Sequence, residues 1–272
     1  MVNPVTVNPS SAARRLSVGA SDWLWVVTGI MGVSALMVLM WSKLQPHGSR
    51  AFHHMATAIL TVSTIAYFAM ASNLGQTSVR TEFRSGPTRS IFYVRYIQWF
   101  INAPLILLML LLTTGLTLSD IFLTLFMILV TVVAGLVGAL TPTSYKWGFY
   151  VFGNLTLLYV FFTLIFSGGP GSRLLSHKTL FGRGAGYTIF IWMLYPICWA
   201  FSEGANVLTV DHEMIFYGIL DLFAGPLFLF MYLAVLRSID YDSFGLQSGK
   251  ASDYVGVRPS EKSRPPESII AA

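Results

Sequence analysis

The chain of 272 residues is 54% hydrophobic and only 11% charged, and its 17 Lys and Arg outnumber its 12 Asp and Glu for a formal net charge of +5. A soluble domain carries charges on about a quarter of its residues, so this composition excludes an ordinary soluble fold. The cations are scattered, without a dense patch or interleaved aromatics, which argues against nucleic acid as a partner. The first twenty residues are polar, with Pro4, Pro9, Arg14 and Arg15, and lack the apolar centre of a cleavable signal peptide. The first apolar run then serves as the uncleaved insertion signal.

Seven apolar runs follow, each near the roughly 20 residues that a membrane helix needs. They are expected at Asp22–Trp41, Phe52–Ser72, Ile91–Gly115, Asp120–Leu140, Trp147–Phe166, Tyr187–Glu203 and Met214–Leu236. Several are apolar all round, so lipid must cover them. Lys43, Arg50, Arg173, Lys178, Arg183, Arg237, Lys250, Arg258, Lys262 and Arg264 fall on the side that holds the C-terminus. Arg14, Arg15, Arg80, Arg84, Arg89 and Lys146 fall on the other side, and Arg95 lies inside a span. The excess of positive charge predicts a cytoplasmic C-terminus and an N-terminus outside. The basic residues also suit anionic lipid headgroups.

The organisation expected is a polar extracellular N-terminus (1–21), a seven-helix membrane domain (22–237) and a disordered cytoplasmic tail (238–272). Asn73–Ser90 is the long connection outside, and the alternation around Thr77–Phe83 predicts a small hairpin. Ser167–Gly186, with Gly-Gly-Pro-Gly and three basic residues, reads as a cytoplasmic loop. Asn154-Leu155-Thr156 matches a glycosylation pattern but lies mid-span, where no oligosaccharide could be attached. Cys198 is the single cysteine and sits in an apolar run, so neither a disulfide framework nor a thiol-metal site is expected. His53 and His54 point to different helix faces with no clear third ligand nearby, so no metal is expected there.

Ionisable side chains within a bilayer are costly, and each is a functional hypothesis. Arg95 and Asp221 are the two deep ones. Arg95 opens the run Arg95-Tyr96-Ile97-Gln98-Trp99-Phe100-Ile101-Asn102-Ala103-Pro104. The sixth span carries Trp192-Met193-Leu194-Tyr195-Pro196-Ile197-Cys198-Trp199, then Ser202-Glu203-Gly204-Ala205, and the seventh carries Asp221-Leu222-Phe223-Ala224-Gly225-Pro226. These segments resemble the microbial (type 1) rhodopsins over nearly all the membrane region. Within them the chain looks most like the fungal opsin-related branch, which includes the fungal thirty-kilodalton heat-shock-type membrane proteins. The fold implied is all-α, a seven-transmembrane-helix bundle of microbial rhodopsin type.

The resemblance assigns Trp99, Trp192, Tyr195 and Trp199 to the aromatic cage around a retinal polyene, with ordinary bundle packing as the alternative. Tyr67 matches the family's second-helix tyrosine, Arg95 its arginine below the chromophore, and Asp221 the seventh-helix member of its counterion pair. Glu203 and Glu213 match the outer carboxylates that handle proton release in pumps, although solvated loop residues are the reading expected here. Three positions depart. Gly225 stands where the Schiff-base lysine would be, Gln98 where the counterion and proton acceptor would be, and Met109 where pumps carry a proton donor. One positive and one negative group have gone together, leaving Arg95 against Asp221 and a neutral core. Asp221 is expected to accept hydrogen bonds from Tyr67 and Tyr195 and to pair with Arg95, directly or through water; binding of a cation or proton is the alternative.

No covalent cofactor is therefore expected, while noncovalent binding of retinal or another apolar molecule stays open. Gly225-Pro226 should kink or bulge the seventh helix and leave a small void. The resemblance implies a stress-linked, chaperone-like accessory role in the plasma membrane, with other membrane proteins such as a proton-pumping ATPase as partners. Homo-oligomers are also compatible. Noncovalent ligand carriage and passive ion or weak-acid conduction are the rivals. No nucleophile–base pair, phosphate loop or metal-ligand cluster is present to suggest an enzyme.

Overall fold

The computed structural model describes residues 3–45, 50–82, 88–168 and 178–237. Seven helices are long and apolar enough to cross a membrane: Val18–Lys43, Ala51–Ala71, Tyr93–Leu111, Leu118–Leu140, Lys146–Ser167, Phe181–Gly204 and Val210–Leu236. At 1.5 Å per residue, even the third, the shortest at 19 residues, comes close to the ~30 Å hydrocarbon layer. Large apolar side chains such as Leu36, Met40, Phe122 and Phe152 face outward, as lipid contact requires. Each helix packs on its chain neighbour, and the first closes on the seventh. The chain is an integral membrane protein with a mostly helical seven-span bundle.

Helix starts follow from hydroxyl caps. Ser17 accepts from the Ala20 amide, Thr117 from Asp120 and Thr209 from His212, each capping an otherwise unpaired N–H of the first turn. The cap at Thr209 starts the seventh helix at Val210, ahead of the expected Met214, and brings Glu213 into the helix. The sixth helix starts at Lys178 rather than Tyr187, so the second half of the expected Ser167–Gly186 loop is helical. Of its glycines, Gly184 is there for packing. A Cβ at Gly184 would sit 2.8 Å from Leu110 Cδ2 and 3.1 Å from Tyr232 Cε2, so the helices meet only because it has none. The rest of that loop, 169–177, and the tail from Ser238 lie outside the described residues.

Three helices end in or contain a π-helical turn: Thr163–Ser167, Ala200–Gly204 and Phe223–Leu227. The third contains Gly225 and Pro226. Proline has no N–H to return to Leu222, so the ladder reorganises locally into the bulge that the sequence predicts. Around Gly225 the void is largely filled, because its missing Cβ would meet Met31 Cε and Sδ at 3.7 Å and Leu60 Cδ2 at 4.0 Å.

The N-terminal end of the bundle carries a cap. Strand β1 (Thr77–Val79) pairs antiparallel with β2 (Arg89–Ile91), in the register Ser78 opposite Ser90. The hairpin is thus wider than Thr77–Phe83, and Ile91 belongs to it rather than to the third helix, which starts at Tyr93. Arg14 bridges to Arg89 alongside β2. Ser10, Ala12 and Leu16 are buried beneath this layer. Asn8 and Asn73 tie it down by donating to the Ser72 and Asn8 carbonyls at 2.9 and 2.6 Å.

Candidate functional site: two buried carboxylate centres and an aromatic cavity

On the seventh helix Glu213, Tyr217 and Asp221 recur every four residues and so share its inward stripe. Asp221 is buried, and both of its oxygens are occupied. Tyr195 and Trp99 donate to Oδ1 at 2.6 and 3.3 Å, and Tyr67 and Gln98 donate to Oδ2 at 2.7 and 3.2 Å. Four neutral donors from the second, third and sixth helices therefore meet one carboxylate of the seventh. Gln98 also donates to Ser63 Oγ at 3.4 Å, and Asn102 one turn on donates to it at 2.8 Å. Gln98 now completes the hydrogen bonding of Asp221 as a neutral donor.

Of the two arrangements expected, direct pairing or pairing through water, the direct pairing of Arg95 with Asp221 is not formed. Arg95 Nη2 meets Glu203 Oε1 at 3.0 Å, and its guanidinium lies 3.6 Å from the centre of the Tyr217 ring. Tyr96 donates to the same Glu203 oxygen at 2.6 Å, while Ser202 and Tyr217 donate to the other at 3.2 and 3.3 Å. The physical reason is that Asp221 is already saturated by neutral donors, whereas the π-helical turn carries Glu203 into reach of the arginine.

Glu203 and Glu213 are buried rather than solvated, at 3% and 1% exposure, which corrects the loop reading. The cap supplies what they need. Arg89 of β2 forms an ion pair with Glu213 and donates to the Leu208 carbonyl at 2.6 Å. Burial works against the charge on Arg89, but the charge and hydrogen bond of Glu213, with Glu203 and Tyr217 adding to them, together raise the guanidinium above its ordinary range. Lys146 is buried too, its Nζ 3.3 Å from the Glu203 carbonyl. The buried charged set among the described residues is thus Arg89, Arg95 and Lys146 against Glu203, Glu213 and Asp221. By formal count it is balanced, and it is larger than the Arg95 and Asp221 pair.

Arg89 and Lys146 were read from sequence as loop charges. Only the long-range pairing of the cap reveals the role of Arg89. The glutamates did leave a signal, since Trp192, Tyr195, Trp199 and Glu203 step by three, four and four along one stripe. Met109 is buried among Leu107, Leu110 and Leu111, and its carbonyl accepts from Tyr232 at 3.1 Å. No carboxyl stands at that position. His53 is buried against Trp41, His54 is exposed, and Cys198 is buried with a free thiol. Among the described residues no group of three His, Cys, Asp or Glu is placed to hold a metal ion.

The cage aromatics do come together. Trp99 lies edge-on to Trp192 at 6.1 Å and to Tyr195 at 4.9 Å, and Tyr150 stacks on Trp199 at 5.2 Å. Beside them is a cavity of about 120 Å³, lined by the third to sixth helices, Tyr217 and Arg95. No residue of the Phe223–Leu227 turn lines it.

The sequence profile of the bacteriorhodopsin-like protein family matches residues 19–239. The chain belongs to that family. It is 52% identical over 257 residues to Protein FDD123 of Trametes versicolor, covering 93% of this chain and 90% of that protein. It is 29% identical over 304 residues to the 30 kDa heat shock protein of Saccharomyces cerevisiae, covering 97% and 88%. Among solved structures it resembles Coccomyxa subellipsoidea rhodopsin CsR, a light-driven proton pump. That likeness has a TM-score of 0.79 and 32% identity, and covers 81% of this chain and 98% of the other. The chain is a rhodopsin-like seven-helix membrane protein of the fungal opsin-related branch.

Proposed function

We propose that this chain is an opsin-fold membrane protein that works without a covalent chromophore and is not a light-driven proton pump. The observation that carries this reading is Asp221, whose two oxygens take four neutral side-chain donors one helical turn from Gly225. A light-driven pump needs a Schiff-base cation and groups of alternating proton affinity along its path. Glycine has no amine to form that cation, Gln98 is no proton acceptor, and Met109 is no donor. The kinship with a heat shock protein supports a stress-linked, chaperone-like accessory role in the plasma membrane, acting on other membrane proteins such as a proton-pumping ATPase.

The deciding test is reconstitution of the purified protein with all-trans-retinal, followed by borohydride reduction. The native chain should yield no covalent adduct and no light-driven proton flux in vesicles, whereas Gly225→Lys should yield a reducible adduct. A reduced adduct on the native chain would sink the proposal. For the accessory role, cells lacking the protein should show altered ATPase activity after heat stress; unchanged activity would remove that assignment.

A second reading is favoured by the aromatic cavity: noncovalent binding of an apolar molecule. Saturable quenching of tryptophan emission by an added apolar ligand would support it, since Trp99, Trp192 and Trp199 all line the space.

A further inference from the structure

We infer that residues 8–17 form a hinged lid over the charged chamber at the N-terminal end of the bundle. Two latches hold the lid, and it opens as one unit to admit water to Glu213.

The chamber needs a cover. Arg89, Glu203 and Glu213 are none of them more than 3% exposed, and charges so placed stay dry only where something excludes water. The segment is built as an extended strand laid across them. Ser10, Ala12 and Leu16 are buried, while Pro9, Ser11, Ala13 and Arg15 between them are exposed, which is the period of two of a strand. Its backbone runs beside β2: Arg14 donates its amide to the Thr88 carbonyl and accepts from the Ser90 amide, both at 2.9 Å.

The cover is held mainly by polar contacts at two places. At one, Asn73 donates to the Asn8 carbonyl at 2.6 Å and Asn8 to the Ser72 carbonyl at 2.9 Å. At the other, Arg14 Nη1 donates to the Asn206 carbonyl at 3.0 Å, gripping the connection between the sixth and seventh helices. Asn73 and Asn206 are also the two non-glycine residues with positive φ among the described residues, each at 56°. Such left-handed backbone is uncommon and persists where the surroundings hold it. Ser17 is the hinge, since its hydroxyl caps the first helix and its amide donates to Asp211 Oδ1 at 2.8 Å.

The closed lid is not strongly held. Ala12 and Leu16 are its only buried apolar side chains, and a segment with so little apolar burial belongs to the low-stability end of a fold. Closure also leaves Asn73 Oδ1 and Asn206 Nδ2, one at each latch, buried with no partner among the described residues. Water entering on opening would satisfy both, which favours the open state.

The experiment uses the full chain in lipid nanodiscs and labels carboxyl groups with a water-soluble carbodiimide and glycine ethyl ester, read by mass spectrometry. Exposed Asp22 is the positive control and buried Asp221 the interior control. In the native chain Glu213 should label more slowly than Asp22 and faster than Asp221. Arg14→Ala removes one latch. Asn73→Gly removes the donor of the other and keeps the left-handed turn. Each should speed labelling of Glu213 about threefold to tenfold, as the loss of one net hydrogen bond gives, and the pair should multiply. Ser10 and Ser90 supply the lock, because their Oγ atoms are 2.7 Å apart and bridged sulfurs need about 2.05 Å. In Ser10→Cys with Ser90→Cys, oxidation should stop the labelling of Glu213 and reduction should restore it; the native Cys198 is buried. Labelling of Glu213 indifferent to oxidation of that pair would overturn the lid. Asp221 rising in step with Glu213 in the unlatched variants would overturn it too, since the segment would then hold the bundle together rather than cover it. If an unlatched variant does not fold, the oxidised and reduced forms of the locked protein still decide.

Discussion

Glu203 and Asp221 are both buried carboxylates, both bonded by tyrosines, and yet they solve the burial problem in different ways. Glu203 sits against a cation, with Arg95 at 3.0 Å and Lys146 close to its backbone. Asp221 has no ion-pair partner within direct reach among the described residues and relies on Tyr67, Gln98, Trp99 and Tyr195. The first centre is tied by charge to the third helix; the second ties four helices together by neutral hydrogen bonds. A carboxylate that accepts several good donors can stay buried without a counterion. The bundle therefore keeps its seventh-helix acid after the neighbouring amine position has become Gly225. The difference is directly testable, because the two centres should fail in different ways.

The largest effect is expected at the donor-only centre. Asp221→Ala would leave Trp99 and Tyr195 without an acceptor, and Tyr67 and Gln98 with only their 3.4 Å contacts to the Tyr217 carbonyl and Ser63 Oγ. Each lost bond is worth about 1–3 kcal/mol if the donor stays dry. The variant should fail to accumulate as folded protein, read as loss of the monodisperse peak in size-exclusion chromatography. Asp221→Asn should rescue only part of it, since an amide offers one accepting oxygen in place of two. If Asp221→Ala were as stable as the native chain, the four-donor cage would not hold the bundle together. At the ion-pair centre Glu203→Ala strands the Arg95 cation, at a cost of about 3–5 kcal/mol. Here Arg95→Leu combined with Glu203→Leu should recover most of the loss, because removing both charges is much cheaper than removing one. Melting followed by circular dichroism measures this, and a double variant no better than the single one would mean that Arg95 is not the partner that matters.

Sequence reading captured the seven spans because hydropathy over 20 residues is a property of composition alone. It captured the Gly225-Pro226 bulge because proline chemistry is local. It also reached Tyr67 and Tyr195 as partners of Asp221, through the family resemblance. It missed the start of the sixth helix, since Gly182, Gly184 and Gly186 suit a loop unless the close approach of Leu110 and Tyr232 to Gly184 is known. It misplaced Glu203 and Glu213 although both fall on inward stripes, because residues at span ends read as solvated. The role of Arg89 was out of reach, since it arises only when β2, Arg14 and the seventh helix meet across long separations. The missed features share one cause: each depends on tertiary contact rather than on local pattern.

A smaller effect probes how the two lost charges depend on each other. Gln98→Glu would place a second carboxylate where the amide nitrogen now stands, 3.2 Å from Asp221 Oδ2. Gly225→Lys would add a cation one turn away, and its Cβ is accommodated because the nearest atoms, those of Met31, are 3.7 Å off. Each change alone should lower the melting temperature. Together they should be less harmful than their sum, with a coupling of about 0.5–3 kcal/mol. Strict additivity would mean that the two positions no longer sense each other.

The smallest effect is expected at Tyr67. Its hydroxyl gives Asp221 Oδ2 a bond of 2.7 Å, but Gln98 donates to that same oxygen. Tyr67→Phe removes one donor from four, keeps the ring packing and leaves no buried donor behind. Hydrogen bonds inside membrane bundles average only about 0.6 kcal/mol, with a maximum near 1.7. A loss within that range is expected, and the same substitution combined with Gln98→Leu should cost more than the two singles added, because Oδ2 would then have neither donor. Tyr96→Phe supplies the contrast at Glu203, where Arg95 still shares the oxygen that Tyr96 served. Its combination with Gln98→Leu should be additive, since the two residues serve different carboxylates. Synergy between Tyr96 and Gln98 equal to that between Tyr67 and Gln98 would show that the two centres behave as one network.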